Sequence, residues 1–189
     1  MSDIIILYPA GLGGHHLSNI ISLSTNIKFN KRFDNYNKID QNVHYALDLE
    51  KNESNYNVLP MHIPDFFHKL QTGFFQNFQN YKIVVLNTGS DPENDLKSIA
   101  GQRWYKHNFN SQEKPSLNYF FYEISILYQH DFLEKILKRK VISISAQLLF
   151  NEHIDDLLKD LEEKLELKFA NKEYILKLHL TWIEKVFKK

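Results

Sequence analysis

Asp3-Ile4-Ile5-Ile6-Leu7-Tyr8-Pro9-Ala10-Gly11-Leu12-Gly13-Gly14-His15-His16-Leu17 is the stretch that decides the fold of this 189-residue chain. Residues 3–8 are β-branched and apolar without alternation, the pattern of a strand buried on both faces. Three of the six glycines in the chain then fall within residues 11–14. Leu17, Ile20, Ile21 and Ser24 follow at helical spacing and predict a helix over 14–24. A buried strand, a glycine turn and a helix in immediate succession form the opening βα unit of a parallel sheet.

The rest of the chain repeats that alternation. Residues 57–62, 81–87 and 140–145 read as further strands, the first weakened by Pro60, which cannot donate to a ladder. Helices are predicted over 65–78, through Phe66, Phe67, Leu70, Phe74 and Phe78, and after Asp91-Pro92, where Asp is a good cap and Pro fits the first turn. The spacing of Leu117, Phe120, Phe121, Ile124, Leu127, Leu133, Ile136 and Leu137 predicts one long helix over 116–138. Asn151 and Asn171 are expected to cap the last two helices. The chain reads as one α/β domain over 1–189 with a mainly parallel central sheet flanked by helices. Residues 25–56, rich in Asn, Lys and Asp, are expected to form a mobile excursion on the substrate side.

Composition narrows the function. Hydrophobic residues are 43% and charged residues 24%, the balance of a globular chain. Lys plus Arg and Asp plus Glu are 23 each. Zero net charge argues against a broadly basic nucleic-acid surface and against a polybasic membrane anchor. The lack of cysteine removes disulfides, thiolate nucleophiles and Cys-ligated zinc, and favours a cytoplasmic location. The first residues lack the basic region and apolar length of a signal peptide, and no apolar run has the length of a membrane span.

The glycine turn carries the chemistry. Glycines between a strand and a helix let backbone N–H groups converge, and the helix end adds partial positive charge, so a phosphate or sulfate is the natural guest. Gly11, Leu12, Gly13, Gly14, His15 and His16 are therefore candidate binding residues. One of the two histidines can donate to an oxyanion while the other packs. A zinc pair is not expected, because adjacent helical residues diverge. His62 ends the second strand, where parallel sheets bind ligands, and an imidazole can take a proton near neutral pH. Ser90, Ser98 and Arg103, following the third strand, are candidates for a second anionic group.

In order, these segments resemble the P-loop sulfotransferase family. Tyr8-Pro9-Ala10-Gly11-Leu12-Gly13-Gly14-His15-His16-Leu17 stands where that family binds the 5′-phosphosulfate. Met61-His62-Ile63-Pro64 is similar to its Thr-His-Leu-Pro segment, whose His is the catalytic base. Asn87 to Asp95 followed by Ser98 resembles its 3′-phosphate segment, and the strand over 141–145 with the helix after it resembles its late strand and helix. The resemblance implies a three-layer fold like that of P-loop nucleotide hydrolases. It also implies 3′-phosphoadenosine 5′-phosphosulfate as donor, a small-molecule or glycan acceptor, no metal, and catalytic roles for His62 and His16. Two family features are missing. Ala10 or Gly11 occupies the place of the loop lysine, and no arginine precedes the Asn-Pro-like segment.

Two other readings fit the same residues. Gly13-Gly14-His15 also looks like the Gly-Gly-His loop of some nucleotide-sugar glycosyltransferases, which would require a partner domain. A non-catalytic nucleotide- or partner-binding protein on a degenerate P-loop scaffold would explain the missing lysine and arginine. Trp104, Tyr105, Trp182 and His179 read as packing residues.

Overall fold

Four β-branched and apolar segments, each too short for a helix of ordinary length, pair side by side in a computed structural model that describes residues 3–9, 12–25, 58–73, 75, 80–88 and 129–187. They are β1 (Asp3–Tyr8), β2 (Val58–His62), β3 (Tyr81–Asn87) and β4 (Val141–Ser145). Every pairing is parallel, in the order β2-β1-β3-β4. Tyr8 lies opposite His62, Leu7 opposite Val85, and Asn87 opposite Ser145. Among the described strands β2 pairs only with β1, an edge position that accommodates the missing N–H of Pro60.

Alternation along the strands divides the core between the two faces of the sheet. Ile4, Ile6, Tyr8, Val84, Leu86 and Ile144 pack with α1 (Gly14–Ser22), α4 (Ala146–Leu149), α5 (Asp155–Leu165) and α6 (Lys172–Phe187). Ile5, Leu7, Ile83 and Val85 pack with α2 (Ile63–Gln71) and α3 (His130–Leu137) on the other face. The result is a three-layer α/β arrangement. The chain runs first to one side of β1 and then across to the other, so right-handed crossovers put α1 and α2 on opposite faces. No helix among the described residues is long and apolar enough to cross a membrane.

Several element ends differ from expectation for local reasons. The first helix stops at Ser22, and Ser24 instead accepts a hydrogen bond from the Lys168 amide at 3.3 Å. The second stops at Gln71 because Gly73, at φ 73°, turns the chain in the left-handed region. Phe75 then folds back between Phe66 and Tyr81, with ring centroids 5.3 and 5.8 Å away. Of the expected helix over 116–138 the described part begins at His130, after Gln129 with a non-helical ψ of 61°. Asn151 accepts from the His153 amide in a turn, and α5 begins four residues later with Asp155 and Asp156 at its positive end. Asn171 is the cap expected of it, accepting from the Tyr174 amide at 3.0 Å.

The expected helix after Asp91-Pro92, residues 116–128 and most of the 25–56 excursion lie outside the described residues. So do Phe74, Phe78, Trp104 and Tyr105.

Candidate functional site

A sheet in this order has its switch point between β1 and β3, where successive connections leave in opposite directions, and ligands of such sheets bind at the carboxyl end there. At that rim the chain leaves β1 through Pro9 and returns at Leu12. The Leu12 amide donates to the Pro9 carbonyl at 3.3 Å, and its side chain is fully buried in the core. Leu12 therefore anchors the turn, and its N–H already has a partner within the chain.

The two described glycines of this turn each have a packing reason. Gly13 caps α1 at φ 72°, where a side chain is strained, and a Cβ there would lie 2.9 Å from Trp182 and 3.1 Å from Leu149. A Cβ on Gly14 would lie 2.1 Å from the Tyr8 ring, which rests directly on the start of α1. No described side chain caps that start, and its own first turn has no acidic residue to offset the positive helix end.

Three polar side chains meet above it. The Tyr8 hydroxyl is 2.5 Å from His15 Nε2 and 3.4 Å from His62 Nε2. The three rings form a cluster, with centroids 4.5 Å apart for Tyr8 and His62 and 6.0 Å apart for the two histidines. Tyr8 is buried while both histidines are half-buried. Burial, followed by the charge of Asp65, pushes the Tyr8 phenol well above its ordinary range, so it remains a neutral hydroxyl. Tyr8 was not singled out as a site residue from sequence. Strand alternation puts it on the α1 side of β1, but only the β1–β2 register places it beside His62.

His16 goes elsewhere. It is 3% exposed and stacks on Trp182 at a centroid distance of 4.1 Å, within 8° of parallel. His179 Nε2 donates to the Asn151 carbonyl at 2.6 Å, so its Nδ1 is the acceptor for His16 Nε2–H at 3.0 Å. This relay pins α6 to the first turn of α1 and fixes both tautomers. It also takes the His16 side chain away from the Tyr8 cluster. Of the two adjacent histidines, His15 joins the site and His16 packs.

Burial, and then the neighbouring His179, hold the His16 imidazole well below its ordinary range. Burial also lowers His179, opposed by its bond to the Asn151 carbonyl. The unfolded chain therefore binds more protons than the folded one below about pH 6.5. Stability from this pair is fully present above that pH and is lost as pH falls toward the folded values. Urea unfolding is expected to weaken by up to about 1.4 kcal/mol per pH unit in that window, the slope of the one proton that His16 excludes, with a smaller contribution in the same direction from the more exposed His179. The slope should fall by one proton in His16→Gln, and equal slopes in the two proteins would contradict it.

At the end of β3, Asn87 donates to the Ser143 hydroxyl at 3.2 Å on the face opposite Tyr8, and Thr88 is buried. This junction ties β3 to β4. Gly11, Ser90, Ser98 and Arg103 lie outside the described residues. The described residues hold no group of three or more His, Asp or Glu positioned to bind a metal ion.

No protein-family model matches the chain, and neither a curated protein nor a solved structure is significantly similar to it.

Proposed function

We propose that the chain is a sulfotransferase-like group-transfer enzyme that takes a phosphosulfate nucleotide at the β1–α1 turn and transfers its sulfuryl group to an acceptor hydroxyl or amine. One observation carries this reading. Two half-buried histidines, one from the turn and one from the second strand, share a buried tyrosine hydroxyl at an uncapped helix end free of first-turn acids. A proton acceptor next to an electropositive backbone end is what in-line transfer to a hydroxyl requires.

In this reading His62 removes the acceptor's proton. The first-turn amides of α1 hold the anionic group, and His15 stands beside it. Most of the rate enhancement comes from positioning and from dipoles already in place. The acceptor is a small molecule or a glycan.

A second reading has its own support. Packing against Tyr8, Trp182 and Leu149 accounts for Gly13 and Gly14 without a ligand, and the Leu12 amide is already bonded. These features suit a degenerate P-loop scaffold that binds a nucleotide or a partner without catalysis. Calorimetric titration with adenosine 3′,5′-bisphosphate tests the donor site, and sulfuryl transfer to an acceptor then separates an enzyme from a scaffold that only binds. Saturable binding at micromolar to sub-millimolar ligand is expected. A folded protein with no heat at millimolar ligand would remove the donor assignment, and heat with uridine nucleotides alone would favour a glycosyltransferase component.

A further inference from the structure

We infer that Tyr8 is a proton relay between His62 and His15, so that the positive charge created when His62 accepts a proton moves to the first turn of α1. The inference rests on the site reading above, but its test needs no donor.

The geometry sets the direction. A phenol has one proton, so it can donate to one imidazole while accepting from the other. The 2.5 Å contact suits the O–H donating to His15 Nε2, and the 3.4 Å contact suits His62 Nε2–H donating to the Tyr8 oxygen. In this arrangement Nδ1 is the basic nitrogen of His62, and His15 carries its proton on Nδ1.

The step balances. His62 Nδ1 takes the incoming proton and becomes an imidazolium. Its Nε2 proton passes to the Tyr8 oxygen while the Tyr8 hydroxyl proton passes to His15 Nε2. His62 ends neutral, Tyr8 ends neutral, and His15 ends as the imidazolium. The longer contact must shorten by about 0.5 Å for the transfer to occur. Tyr8 need never become a phenolate, in keeping with its burial and with the nearby charge of Asp65.

The relay gives His15 a conditional charge. A cation in the first turn of a helix is opposed by the helix dipole unless an anion sits there. With the turn empty the shared proton is divided between the two imidazoles and favours His62, and an anion in the turn draws it toward His15. Ala10 and Gly11 supply no cation in the loop, and His15 would provide one at the moment the acceptor loses its proton. Tyr8 is thus a positioning residue that acts through the two imidazoles.

The test is an NMR titration of the His15 and His62 ring nitrogens in the full chain. In the unmodified protein the two rings should titrate together in two steps, each reporting on the other, with the proton on Nε2 of neutral His62 and on Nδ1 of neutral His15. Tyr8→Phe keeps the ring against Gly14 and removes the hydroxyl, so the fixed tautomers should be lost and the coupling between the two histidines should fall to what their 6.0 Å separation alone gives. Superimposable curves in the two proteins would overturn the relay. If Tyr8→Phe does not fold, His15→Gln serves: His62 should change to a single step, and an unchanged two-step curve would overturn the relay. Coupled titration without binding of adenosine 3′,5′-bisphosphate would reject the donor reading and leave the relay standing. Binding with uncoupled titration would do the reverse.

Discussion

Gly14→Ala should lower the free energy of unfolding by about 3 kcal/mol or more, at the upper end for an overpacked core position. The added methyl would lie 2.1, 2.2 and 2.5 Å from three carbons of the Tyr8 ring. That ring is 2% exposed and packed within the core on the α1 face of the sheet, so it has little space to retreat into. Relief must come from lifting α1 off β1 or from expelling Tyr8, and either breaks the hydroxyl contacts to His15 and His62. Denaturant unfolding measures the loss directly. A loss under about 0.5 kcal/mol, the range of a neutral surface change, would mean that Tyr8 does not rest on the helix start.

His62→Ala should reduce transfer by about 100-fold or more, the usual contribution of a positioned general base, while donor affinity changes less than about twofold. His62 comes from β2 and meets the Tyr8 hydroxyl and the Tyr8 and His15 rings, whereas the proposed anion site is the first turn of α1. The two functions therefore separate in one variant. Retained turnover would assign the base elsewhere, and lost donor affinity would place His62 in the anion site itself.

The sheet was legible because buried parallel strands are written as continuous apolar runs. Residues 3–8, 81–87 and 140–145 needed no partner to be recognised, whereas Pro60 only weakened residues 57–62, and their edge position came from the pairing itself. The two final helices were equally plain: Leu157, Leu158, Leu161 and Leu165 form one buried stripe, and Asn171 marks its own cap. Helix ends were harder. Gly73 stops α2 seven residues short of Phe78, because one left-handed residue outweighs an apolar pattern that Phe75 satisfies by folding back.

The site was legible only in halves. Strand-end logic placed His62 on the same rim as the glycine turn, and their meeting needed the Tyr8–His62 register. The choice between His15 and His16 was invisible locally, since adjacent residues on a helix differ only by rotation. It is made by distant residues: Trp182 and His179 on α6 take His16, and Tyr8 takes His15. The glycines were read as a ligand signal, and the structure gives two of them a second purpose in close packing.

The most direct test of an anion site at the β1–α1 turn follows backbone amides by NMR during titration with adenosine 3′,5′-bisphosphate. The account predicts saturable shifts largest at Gly14, His15 and His16, with the His62 ring moving in step. Saturable shifts centred elsewhere, or none at millimolar ligand, would contradict it.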